Sequence, residues 1–193
     1  MVIKKLFLLI LIILFGNTAY GDGEIETPEG FKKPKNELFF EEWRAEDPNK
    51  YLKAEGDYNG DGKKDYAHVF EHSVGAGMAI FVYLSQIEKD TNLIIKIFDT
   101  KEDKAIIKAT KKYPKIDFIS KYLLYYGIRT IPPGKYTTAC GKGYFKCGGE
   151  GAEEEEIDIK YDAIDFFHYD AGGNSYFYWD ANTKSFKYSW MSG

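Results

Sequence analysis

Histidine and cysteine are both scarce in this 193-residue chain, which holds three of the first and two of the second. Cys140 and Cys147 lack the C-x-x-C spacing of thioredoxin-like redox enzymes. His68 and His72 would share one face of a strand, but a structural zinc site needs about four ligands. His168 stands apart, and no Gly-x-Ser-x-Gly elbow accompanies it to support a serine-hydrolase triad. Glycine-rich phosphate cradles of the Walker or Rossmann type are missing too. An excess of basic charge is likewise absent. The 26 Lys and Arg stand against 30 Asp and Glu, for a net charge of −4. A nucleic-acid partner, whose phosphates demand clustered Lys and Arg, is therefore not expected.

No apolar run reaches the roughly 20 residues of a comfortable membrane span. The run Leu6 to Phe15 follows Lys4 and Lys5 and leads to Ala19-Tyr20-Gly21, with small residues at −3 and −1 of a cut before Asp22. This tripartite pattern predicts a signal peptide over 1–21, with an uncleaved anchor as the alternative. Residues 22–193 then form one domain of ordinary size, secreted or periplasmic, with no long linker or composition break. In an oxidising compartment, Cys140 and Cys147 are expected to pair across the short glycine-bearing loop between them, as a local staple.

Tyr and Phe are abundant, and Lys, Asp and Gly punctuate the apolar stretches. That balance predicts a mainly β fold, or α+β if a short N-terminal helix forms over 36–45 with Asn36 as its cap. Met78 to Leu84 is continuously apolar, as in a strand buried on both faces, and Leu93 to Phe98 is similar. The runs 104–111 and 116–124 fit strand or helix equally. Ile157, Ile159 and Tyr161 alternate with polar residues, as do Phe186, Tyr188 and Trp190. With 163–169 and 175–179 between them, these segments predict an antiparallel meander of four strands, joined through turns at 170–174 and 180–184.

One stretch carries chemistry. In Asp57-Tyr58-Asn59-Gly60-Asp61-Gly62-Lys63-Lys64-Asp65, oxygen-bearing side chains recur at positions one, three, five and nine. Calcium takes about six to eight oxygen ligands, and a short loop supplies several when alternate residues point inward. Asp57, Asn59, Asp61 and Asp65 are the side-chain candidates, with Lys63 offering its backbone carbonyl. Gly62 falls where such a loop must turn sharply. Three carboxylates this close repel one another, and a divalent cation offsets that repulsion. His68 stands at position twelve, where an EF-hand needs a bidentate Glu, and strand-like flanks also argue against an EF-hand. A plain Asx-Gly hairpin turn is the bland alternative.

The pattern D-x-N-x-D-G-x-x-D running into an apolar strand, here Gly56 to Ala67, resembles the calcium loops of FG-GAP and VCBS-type repeats and of integrin α-subunit propellers. The resemblance implies Ca2+ held between two antiparallel strands by Asp57, Asn59, Asp61, Lys63 (carbonyl) and Asp65. It covers about a dozen residues, as a single copy, whereas propellers repeat the unit over several blades. Pro132 to Tyr136, the Cys140–Cys147 loop, Ala163 to Phe167 and Phe177 to Asp180 are similar to small exported bacterial proteins.

Three function classes follow. The first is an exported calcium-binding module or inhibitor that recognises an envelope protein or a glycan. The second is a structural envelope protein whose ion only pins a hairpin. The third is a cell-wall or polysaccharide hydrolase, which would need two carboxylates at a set separation and has no assigned catalytic residue. An exposed aromatic or acidic patch separates the first from the others. A cleft holding a carboxylate of raised pKa separates the third.

Overall fold

Side chains that alternate in and out along the strands, with the β-branched and aromatic ones inward, place two antiparallel sheets against one shared core. The computed structural model describes residues 25–34, 47, 49–72, 77–85, 93–99, 126–148, 153–169 and 172–192. The first sheet contains β1 (Phe31–Lys32), β2 (Lys53–Gly56), β3 (Asp65–His72), β4 (Gly77–Tyr83) and β5 (Leu93–Asp99). Its order is β1-β3-β4-β5, and β2 also pairs with β3. The second sheet runs β11 (Ser185–Ser192), β10 (Asn174–Asp180), β9 (Ala163–His168) and β6 (Tyr126–Ile131). A small two-stranded sheet pairs β7 (Gly134–Thr137) with β8 (Glu156–Ile159). The expected helix over 36–45 and the segments 104–111 and 116–124 lie outside the described residues.

The period of two in each strand decides which residues enter the core. Ala67 and Val69 from β3 and Met78, Ile80 and Val82 from β4 meet Ile128, Ile164 and Phe166 of the second sheet. Burial of each large aliphatic chain contributes about 1.5–3 kcal/mol. The opposite face of β3 and β4 carries Phe70, Ala79 and Phe81, all buried, with Phe31 edge-on to Phe81 at 4.7 Å. Strand β4 is thus buried on both faces, which accounts for its unbroken apolar run. The outer face of the second sheet packs Ala163 and Met191 against Ile157 and Ile159 of β8. A register shift between Asn174 and Ser175 accompanies the turning of Met191 inward.

The segment around β2 stitches the two sheets together. Leu52 carbonyl accepts from Val69 N–H at 2.9 Å, while the preceding Tyr51 carbonyl accepts from Ile128 N–H at 2.8 Å. Further along, the Thr130 hydroxyl donates to Glu55 carbonyl at 2.7 Å. With that proton committed, the fully buried Tyr58 hydroxyl must donate to Thr130 Oγ1, at 2.9 Å.

The four-strand meander expected from residue 157 onward is corrected. Strands β9, β10 and β11 do pair in succession, but β8 joins β7, and β6 takes the place beside β9. The cause lies in residues 160–162. Instead of forming a hairpin turn, they carry Tyr161 over Gly60 and Asp162 onto Asp57.

His68, between Phe70 and Tyr83 at 6.1 Å from each ring, is pulled down to about 4 by burial and then by Lys53 and Lys33. The unfolded chain therefore takes up this proton first as pH falls from the ordinary histidine value of 6.5. Stability that rests on neutral His68 is complete above pH 6.5 and is lost on descending to pH 4. His68→Phe is expected to remove about 2–3 kcal/mol of this acid-side loss. Urea midpoints measured between those two pH values should then run flatter than in the parent chain.

Candidate metal loop and surface sites

The hairpin joining β2 to β3 carries the acidic motif, with Gly56 opposite Asp65 at its base. Its Asp and Asn side chains fold back on the loop's own amides, as short polar side chains do in turns. Asp57 Oδ1 accepts from the N–H groups of Gly60 (2.8 Å) and Asp61 (3.0 Å), and Oδ2 from Gly62 (2.9 Å). Asn59 Oδ1 accepts from Asp61 N–H at 3.0 Å, and Asp61 Oδ1 from Lys63 N–H at 2.8 Å. Both Gly60 and Gly62 have φ of 77°, a left-handed backbone that side chains with a Cβ rarely adopt.

Asp65 anchors the loop from the strand side. It is wholly buried, and its two oxygens accept from Tyr58 N–H at 2.9 Å and Ser85 N–H at 2.8 Å. Burial pushes its carboxyl above the usual carboxylate range, and the amide bonds only partly offset this. Asp61 Oδ2 also meets Ser85 Oγ at 3.2 Å, so the residue just after β4 closes the loop's open side. On the other flank, Asp57 N–H donates to Asp162 Oδ2 at 2.9 Å, and Asp162 N–H donates back to Asp57 carbonyl at 3.2 Å.

The donor chemistry suits a hard cation. Every candidate side chain offers oxygen, and these hydrogen bonds leave each of Asp57, Asn59, Asp61 and Asp65 at least one lone pair. Lys63 gives its N–H to Asp61 and lies exposed. As folded, the loop satisfies its acids with N–H groups. Among the described residues, no group of three or more His, Cys, Asp or Glu stands in metal-holding geometry. Ser85, Asp162, Thr130 and Tyr161 are the partners that sequence reading missed, because they come from the end of β4, from β6 and from the 160–162 link, all distant in the chain.

Cys140 and Cys147 form a disulfide with Cα atoms 5.1 Å apart, compatible with an extracellular or periplasmic protein. No helix among the described residues is long and apolar enough to cross a membrane. The bridged loop is clasped to β11: Ala139 N–H donates to Trp190 carbonyl, and Lys142 Nζ to Met191 carbonyl, both at 2.8 Å. This holds Phe145 stacked on Trp190, with ring centroids 5.5 Å apart. Tyr144, Phe145, Tyr188 and Trp190 are all exposed, and Trp190 N–H donates to Glu153 Oε1. The outcome is an aromatic ledge beside the acidic stretch Glu153 to Glu156. Tyr176 and Tyr178, by contrast, pack against the outer core, and Trp179 against the main core.

At the Tyr51 end of β2, away from the acidic loop, lies a cavity of about 610 Å3. Lys50, Arg129, His168, Asn174 and Ser192 are among its lining residues, and none of the described lining residues is Asp or Glu. No family model, curated protein or solved structure matches this chain.

A Cβ at Gly60 would overlap the Tyr161 ring, whereas one at Gly62 meets open space. Gly60→Ala is expected to cost about 2–3 kcal/mol in urea unfolding, and Gly62→Ala only about 1 kcal/mol, from its backbone angle alone. Equal costs would show that Tyr161 does not bear on the loop.

Proposed function

We propose that this chain is an exported binding module of the cell envelope, in which a calcium ion held by the 57–65 loop fixes the junction of the two sheets. The single observation that carries the recognition role is the aromatic ledge. Phe145 and Trp190 stack in the open, braced by a disulfide, and Tyr144 and Tyr188 lie more than half exposed. Large rigid aromatics left in water serve recognition better than packing, since they contribute contact area with little side-chain entropy to lose. Glu153 to Glu156 beside them favours a partner that brings positive charge or hydrogen-bond donors, whether an envelope protein or a glycan.

The ion would be held by Asp57, Asn59, Asp61 and Asp65, with the Lys63 carbonyl, and would supply positive charge where three carboxylates crowd. The raised carboxyl of Asp65 supports this reading, because a divalent cation relieves a buried negative charge. The hydrolase alternative finds less support. Asp65, the carboxyl pushed upward, is sealed from solvent, and no acid is among the described lining residues of the 610 Å3 cavity. The purely structural reading accounts for the loop but leaves the ledge without a role.

Calorimetric titration of the purified protein with calcium chloride is expected to give a saturable signal. Melting temperature should rise with calcium, by the equivalent of about 2.7 kcal/mol when the ion exceeds Kd a hundredfold. Asp61→Asn should weaken both effects. Retention of an envelope component on the immobilised chain should require Trp190 and Phe145 and should fall when calcium is chelated. No heat with calcium and no change with chelator would remove the ion from the account. Retention unaffected by Trp190→Ala would remove the ledge.

A further inference from the structure

The 610 Å3 cavity lies within the range of about 300–1,000 Å3 usual for small-molecule sites. Its wall is chemically one-sided. Lys50 and Arg129 are charged, and no described lining residue is Asp or Glu, although acids outnumber bases in the chain. Arg129 is also one of only two arginines in the sequence.

Its guanidinium is held on two sides. Nε and Nη2 donate to Asp165 Oδ2 at 2.8 and 2.7 Å, and the group lies over the Phe167 ring at 5.0 Å. Asp165 is itself wholly buried and is fixed from the other oxygen by Asn174 Nδ2 at 3.0 Å. The side-on edge of the fork is therefore taken. The end-on edge, Nη1 with the second proton of Nη2, has no bond to a described residue, and the Arg129 side chain is 55% exposed. A guanidinium fixed this way keeps little rotamer freedom, so it recognises a planar anion with less ordering cost than a loose lysine. Lys50, whose Nζ sits 5.3 Å from the Tyr51 ring centroid, adds a second positive charge at the rim.

Around these charges the wall is flat and polar by turns. Tyr51 and Tyr169 give rings and Phe167 backs the guanidinium. Ser192 Oγ sits between Gly172 carbonyl and Asn174 Oδ1, and Gly173 carbonyl accepts from His168 N–H, so that these groups keep second lone pairs and the other Asn174 amide proton for a ligand. Tyr51 holds a φ of 64°, an uncommon backbone for a bulky residue. It is kept there by its carbonyl bond to Ile128 and by edge-on contact with Phe167 at 5.1 Å. Strain of this kind persists only where the surroundings enforce it, and such places often border binding sites.

We infer that the cavity bounded by Lys50, Tyr51, Arg129, Phe167 and Asn174 is a binding site for a small sugar that bears a carboxylate. The carboxylate takes the end-on edge of Arg129 with support from Lys50. The C–H face of the ring lies against the tyrosines, and the hydroxyls bond to Asn174, Ser192 and the glycine backbone. This site stands independently of calcium in the 57–65 loop and of the aromatic ledge.

Heteronuclear NMR of the purified protein, titrated separately with glucuronate, glucose and inorganic phosphate, tests the assignment. Glucuronate should shift the amides of Tyr51, Arg129, Phe167 and Gly173 saturably, with Kd below about 10 mM and at least tenfold tighter than glucose or phosphate. Lys50→Gln, a change at the exposed rim, should weaken glucuronate threefold or more. Arg129→Lys keeps a charge for Asp165 but loses the fork, and should weaken it tenfold or more. Equal binding of glucose would overturn carboxylate recognition. Equal binding of phosphate would reduce the cavity to a general anion site. No shift at these amides up to about 10 mM glucuronate would remove the site.

Discussion

The joint between the two sheets depends on carboxylates that accept backbone N–H bonds. Asp57 gathers three amides of its own loop, and Asp65 ties the loop's start to Ser85 after β4. Asp162 then bonds reciprocally with the Asp57 backbone, so the acidic hairpin of the first sheet is fastened to the link that leads into β9 of the second. Bonds to charged acceptors are stronger than neutral ones, and they are strongest where water is excluded, as at Asp65. The same crowding of acids makes the loop suited to a hard cation. An ion held there, as proposed, would strengthen an existing joint.

From that joint the surface features follow in order. Strand β2 is fixed at one end by the loop and at the other by Tyr51, whose carbonyl reaches β6. Fixing Tyr51 sets its ring against Phe167 and so shapes the cavity in which Arg129 is braced by Asp165. The aromatic ledge has its own brace, a disulfide loop hydrogen-bonded to β11. The two surfaces proposed for recognition thus stand on braced supports, which would favour binding because less motion is frozen when a partner arrives.

The local features of this fold were legible in the sequence, and the long-range ones were not. The Asx-Gly loop between two strands, the doubly buried β4 and the hairpin of β10 and β11 all follow from periodicity and turn residues that act within about ten positions. The disulfide follows from the cysteine count. The partner of β8 was misjudged because Tyr161 and Asp162 continue the strand alternation of Ile157 and Ile159, and their attachment to Gly60 and Asp57 spans about a hundred positions. For the same reason the cavity left no local pattern: Lys50, Arg129, Phe167 and Ser192 meet only through sheet pairing. The rarity of arginine, two in the chain, was a signal left unused. The ledge was half legible, since the alternation in β11 marked Tyr188 and Trp190 as a face without saying that the face stays in water.

Amide hydrogen exchange at Gly60, Asp61, Gly62 and Lys63, measured with calcium and with chelator, tests the central claim most directly. These four N–H groups are the ones the loop's side chains hold. The account predicts exchange at least tenfold slower than in an unstructured peptide even with chelator present, and slower again once calcium is added. Exchange at the unstructured rate in chelator, or no further slowing with calcium, would contradict it.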